Sequence, residues 1–193
     1  MPSTDSSHLE SYIKGHDPFN HSMDFVIHPL IRYTANPTLS RHTTGIVWDL
    51  RESPDSARRL ANLDESLTAK DLSQFATSPP CILLHITSDL FHGNRPIEAR
   101  RLQGVTIGDV VSAIHDALHQ PVRRDEWDNL SEPQRKRISD VFDQRCRMSF
   151  DREETYARGI LRIDCLQHTT WFAGLSNSLE IDSTCILTLC RPK

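Results

Sequence analysis

The sequence predicts an α+β fold, an antiparallel β-sheet packed against two main α-helices, and three observations predict it. Two central segments carry complete helix start signals ahead of apolar residues at helical spacing. Short β-branched and aromatic runs bounded by Pro, Ser and Gly precede them, and from Gly159 onward three further runs have the look of strands. A chain of 193 residues suits a single domain. Residues 1–22, rich in Ser, His, Asp and Gly and without periodicity, are expected to be a disordered tail, leaving 23–193 as the domain.

Packing begins at Phe25–Ile31, where Pro29 lacks an N–H and suits a strand edge. Gly45–Arg51 is the next strand candidate, closed by Ser53-Pro54, while Asp55–Thr77 offers loosely spaced leucines and supports only short turns. Cys81–Ile86, introduced by Pro79-Pro80, is a continuous apolar run suited to a central strand. His92-Gly93-Asn94 marks a turn, from which Ile97–Leu102 returns as an edge strand.

The strongest local signal follows. Thr106 is placed to cap a helix, Asp109 three residues on to reach back to its N–H, and Val105 with Val110 to form a hydrophobic staple. Ile107, Val110, Val111, Ile114 and Leu118 then mark one helical face, and Pro121 stops it. Trp127 is expected to dock on the core. Ser131-Glu132-Pro133-Gln134 opens a second helix over Glu132–Arg147, with Ile138, Val141, Phe142 and Cys146 inward. Gly159–Leu166, Thr170–Leu175 and Thr184–Cys190 are expected to close the sheet as two hairpins. In the first, Leu161, Ile163 and Cys165 would alternate with outward Arg162 and Asp164.

Composition narrows function by exclusion. The 26 acidic and 22 basic residues are interleaved and give a net charge of −4, so no basic field recruits nucleic acid or an anionic membrane. Aromatic residues, at 7%, are too few to interleave the small basic clusters as a stacking surface. No apolar run approaches a membrane span of about 20 residues. Five cysteines without a C-x-x-C pair argue against a disulfide framework or cysteine-rich zinc site, and so for reduced thiols in the cytoplasm or nucleus. There is no Gly-x-Ser-x-Gly and no Gly-rich phosphate loop.

One segment carries catalytic chemistry. His115-Asp116-Ala117-Leu118-His119 is one methylene away from the His-Glu-x-x-His pattern of zinc hydrolases, and the two histidines, four apart, lie on one side of a helix. Asp116 is shorter than the Glu that acts as general base there, and no third ligand is signalled. A histidine pair near a helix C-terminus is also favoured by the helix dipole, so the expectation is a solvated flank without metal.

The order of several segments is familiar: His28-Pro29-Leu30, Trp48-Asp49-Leu50-Arg51, Ala76–Pro80, Val105–Val110, Glu126-Trp127, Arg145, Gly159–Asp164 with Leu166, and Phe172–Leu175. Over roughly residues 25–190 the chain resembles a large fungal, chiefly basidiomycete, family of unknown function. The resemblance implies a fungal, intracellular, single-domain protein and brings no catalytic residue with it. It draws attention to Trp48, Asp49, Arg51, Arg145, Arg162 and Asp164, which belong to the matching motifs. The four charged residues on candidate strands would face outward and gather into one ligand or partner surface, or Asp49 or Asp164 would instead pair with an arginine to fix the sheet. The resulting expectation is a non-enzymatic intracellular interaction or ligand-binding module without a cofactor, serving a protein or small-molecule partner. The alternative is a zinc-dependent hydrolase using His115 and His119.

Overall fold

The computed structural model describes residues 25–35, 45–88, 96–179, 181 and 183–192. The expected tail and the His92-Gly93-Asn94 turn lie outside these residues. The strands are β1 (Val26–Ile27), β2 (Ile46–Val47), β3 (Arg58–Arg59), β4 (Asn62–Ser66), β5 (Thr77–Ser78), β6 (Leu83–Thr87), β7 (Ile97–Arg100), β8 (Trp171–Asn177) and β9 (Thr184–Cys190). The helices are α1 (Ala69–Leu72), α2 (Ile107–Leu118), α3 (Arg124–Asp128), α4 (Glu132–Met148), α5 (Arg152–Ala157) and α6 (Arg162–Cys165), with a 3-10 turn at Pro54–Ser56.

The main sheet has the order β7-β6-β9-β8, antiparallel except for the parallel β6–β9 pair. As expected, the apolar run at Cys81–Ile86 supplies an inner strand. Leu84 and Ile86 of β6, Ile97 and Ala99 of β7 and Cys185 and Leu187 of β9 are buried. They share one core with the stripe of α2, in which Ile107, Val110, Val111, Ile114 and Leu118 are all buried. Burying five such side chains, at about 1.5–3 kcal/mol each, makes α2 the helix that organises the sheet. Its start is as expected: Thr106 Oγ1 accepts from the Asp109 N–H at 3.2 Å, and the Asp109 carboxylate accepts the Thr106 N–H at 2.9 Å.

The outer edge of β8 is held by the N-terminal segment. Tyr33 N–H donates to the Leu175 carbonyl at 2.8 Å, and Leu175 N–H to Ile31 at 2.7 Å. So close an approach needs Gly174, at φ +132°, because a Cβ there would stand 2.5 Å from the Tyr33 backbone. Beside it Trp48, 1% exposed, packs on Phe172 with ring centroids 6.3 Å apart. Its indole N–H donates to the Glu52 carbonyl at 3.2 Å.

Three expectations need correction. Gly159–Leu166 forms the short helix α6 in place of a strand, so the chain closes with the single hairpin β8–β9. Gly159, at φ +70°, ends α5 in the left-handed conformation. Then the Asp164 carboxylate accepts the Leu161 N–H at 2.8 Å, closing a helical turn that period-two alternation had disguised. Leu161 and Asp164, three apart, are therefore both buried, where a strand would have sent them to opposite faces. Trp127 is only half-buried, with Arg135 over its ring at 5.9 Å, and the side chain that α3 buries is Glu126. Finally, α4 follows its predicted span but buries only Ile138 fully; Val141, Phe142 and Cys146 are half-covered.

Candidate functional site: a cleft at the C-terminal ends of α2 and α4

After α2 ends, Gln120–Val122 runs alongside Ile160–Arg162. Val122 N–H donates to Ile160 at 2.9 Å and Arg162 N–H to Gln120 at 3.0 Å. This pairing sets α6 against the end of α2, with α4 and α5 beyond it. Between them lies a cleft of about 570 Å³. Its floor includes Val141, Leu161 and Ile163, and its polar wall Arg51, Glu52, Arg145, Arg158, His119, His168 and Asp164. The volume matches the clefts that hold small molecules.

The floor is fixed by one ion pair. Arg145 grips Asp164 bidentately, with Nε–Oδ1 and Nη2–Oδ2 both at 2.8 Å, and Nη2 also donates to the Gly159 carbonyl at 2.9 Å. Together with the bond from Leu161 N–H, this satisfies the carboxylate of a residue 2% exposed. At the rim, Arg51 Nε lies 3.0 Å from both Asp49 oxygens. Burial, which would raise the Asp49 carboxyl, is outweighed by these bonds, so it stays below the usual carboxylate range. Arg158 also lines the cleft and makes no ion pair among the described residues.

His119 caps the C-terminus of α2, its Nδ1–H donating to the His115 carbonyl at 2.8 Å. Burial lowers its pKa against the opposing effect of that carbonyl, and the charges of His115 and Arg158 lower it further. The ring of His115 stacks on it with centroids 4.0 Å apart. The two histidines of the zinc-like motif are thus together, but one His119 nitrogen is already spent on the helix. Asp116 sits on the exposed flank, 3.4 Å from His115 Nδ1. No cluster of three His, Cys, Asp or Glu side chains suited to a metal occurs among the described residues. All five cysteines are free; burial pushes the Cys165 and Cys185 thiols up to about 11 and 12, away from thiolate chemistry.

The six residues singled out in the sequence do not share one surface. Arg51, Arg145 and Asp164 come together on the cleft. Trp48 is core, and Asp49 serves to hold Arg51. Arg162 pairs with buried Glu126 and lines a different groove beside β7. His168 and Arg158 had no signal in the sequence, because an exposed His or Arg in a short polar stretch has no spacing that marks it. Glu126 did have one: it stands three residues after Arg123, whose N–H it accepts at 2.9 Å, at the offset of a first-turn cap.

Fold and cleft together define an α+β protein with a shaped, polar-walled recess at one end of its helical layer. Residues 46–183 match the profile of DUF6699, a family of unknown function, and the chain belongs to that family. No curated protein and no solved structure matches it. No helix among the described residues is long and apolar enough to cross a membrane.

Proposed function

We propose that the chain is a non-enzymatic ligand-binding module of the cell interior, and that its cleft takes a carboxylate-bearing ligand, either a small organic acid or the acidic end of a peptide. The observation that carries this reading is the state of the charges lining the cleft. Arg145 is neutralised by Asp164, and Arg51 by Asp49 with Glu52, the other carboxylate on the cleft, beside it, which leaves Arg158 as the cation with no ion pair among the described residues. It faces a recess whose floor is apolar, so a ligand with an acidic head and an apolar body fits both. The two acid–base groups set deepest in the cleft are already committed: Asp164 to Arg145 and Leu161, His119 to its own helix. A fungal setting comes with the family resemblance, and five free thiols suit a reducing compartment.

Amide-resolved NMR titration with acetate, succinate, glutamate and acidic peptides, each beside its amide counterpart, tests the proposal. Carboxylates are expected to shift resonances of Gln144, Arg158 and His168, and the amides to leave them unmoved. Arg158→Glu, a change at an exposed position, should weaken binding about tenfold or more, the value of one charge-assisted hydrogen bond. Equal binding of acids and amides, shifts centred away from the cleft, or no binding at millimolar ligand would each refute it.

A further inference from the structure

The main sheet ends at β7, and no described residue pairs with its outer edge. Which backbone groups that edge presents follows from the register. Arg101 N–H donates to the Ile82 carbonyl at 3.0 Å, and the β6–β7 pairing runs Leu83 with Arg100 through Ile86 with Ile97. Hydrogen-bonded pairs alternate along an antiparallel ladder, so Ile97, Ala99 and Arg101 face β6. Glu98 and Arg100 turn their N–H and C=O groups outward. Their side chains are exposed as well, and within the chain they are only loosely paired, at 3.9 Å. An open groove of about 590 Å³ runs beside the strand from Pro96 to Arg100, so among the described residues nothing covers the edge.

From this geometry we infer that β7 is a homodimer edge, and that its occupant is β7 of a second copy of the chain. The charge order selects that occupant. In an antiparallel pairing about a two-fold axis at Ala99, Glu98 lies opposite the partner's Arg100, and Arg100 opposite the partner's Glu98. Both are outward-facing positions in either copy, so these are the hydrogen-bonded pairs, contributing about four main-chain bonds, with an opposite-charge pair above each. Ala99 falls on the axis at a pair without hydrogen bonds, where backbones approach most closely and a small side chain suits. Leu102, 82% exposed, then comes opposite the partner's Pro96, which has no N–H and ends the ladder. Alongside, α2 presents Ser112, Ala113 and Ala117 at the groove, small enough for the partner's strand to approach. The product is one continuous sheet across two copies, with an isologous interface.

The register makes a charge-swap test decisive. Sedimentation of the full chain across a wide concentration range should show wild type passing from 22.1 kDa to twice that mass. Glu98→Arg places arginine opposite arginine twice, and Arg100→Glu does the same with glutamate. Each alone should raise the dimer dissociation constant about tenfold or more. Mixing the two variants should restore a heterodimer of wild-type strength, since every opposed pair is again of opposite sign, and the double variant E98R/R100E should dimerise by itself. Heterodimer recovery also shows that both variants are folded. A wild type that stays monomeric at every concentration, dimers that ignore both single changes, or a mixture that fails to recover would overturn the inference. In the first case the edge would be left to an extended segment of another protein.

Discussion

Truncating Asp164 removes two things at once, and the size of the loss can be worked from its contacts. In Asp164→Ala, α6 loses the acceptor for the Leu161 N–H, worth about 1 kcal/mol as a cap. Arg145 loses both partners of its bidentate grip. A buried charge left without its partner costs about 3–5 kcal/mol. The Arg145 side chain keeps 25% of its exposure and its bond to the Gly159 carbonyl, so partial rehydration brings this share down to about 2–3 kcal/mol. The expected loss is about 3–4 kcal/mol, or roughly 6–16 °C in Tm for a chain of this length. Urea unfolding followed by far-ultraviolet circular dichroism measures it, with Arg51→Met as the control. Arg51 forms the same kind of pair but is 60% exposed, so its loss should stay within about 1 kcal/mol. A deficit below about 1 kcal/mol for Asp164→Ala, or equal deficits for the two variants, would refute the reasoning that this pair clamps the cleft floor.

Two further outcomes follow from single positions. Gly174→Ala should lower stability by more than the about 1 kcal/mol usual for a strained glycine site, because Cβ meets the Tyr33 backbone at 2.5 Å; hydrogen exchange should show the amides of Tyr33 and Leu175 losing protection first. Asp71 is held down at about 2 chiefly by its hydrogen bond from Arg59, against the opposing effect of burial. With the folded value below the unfolded one of about 3.9, its contribution is full above pH 4 and is lost as pH falls towards 2. Urea midpoints should therefore decline across that window, and less steeply in Asp71→Asn.

How much of this was legible in the sequence depends on the range of the interaction. The start of α2 is legible to the residue because cap, staple and stripe are all local, and α4 is legible from its Ser131-Gln134 cap for the same reason. The Gly159–Leu166 segment misled because Leu161, Ile163 and Cys165 alternate with two charged residues at the period of a strand. Its real organiser, Arg145, lies 19 residues earlier. No local pattern shows that Asp164 is 2% exposed. The cleft was half-legible. The motifs containing Arg51, Arg145 and Asp164 were singled out, but their meeting place depends on α6 lying against the end of α2, a contact made through backbone bonds at Gln120–Val122 that any side chains would allow.

One device explains why charged residues that look like a surface in the sequence are structural in the fold. The acidic residues buried among those described are Asp71, Glu126 and Asp164, and each stands three residues after a helix N-cap. Each accepts the N-cap N–H, from Thr68, Arg123 and Leu161 respectively, and each is also held by an arginine from elsewhere in the chain, Arg59, Arg162 and Arg145. Asp109 repeats the pattern on α2 with the more exposed Arg101, at 3.3 Å. A first-turn carboxylate is already favoured by the helix dipole, and the capping bond turns it inward, where the arginine supplies the counter-charge that burial demands. Each clasp thereby ties a short helix, too short to be stable alone, to a distant segment. Arginines employed in this way are unavailable to a ligand. The cation left for recognition on the cleft is the unpaired Arg158, since Arg51, although outside any clasp, is paired with Asp49. A charge is therefore better judged by whether such a clasp employs it than by its motif: Asp164 and Arg162 are employed in this way, and Arg158 is not.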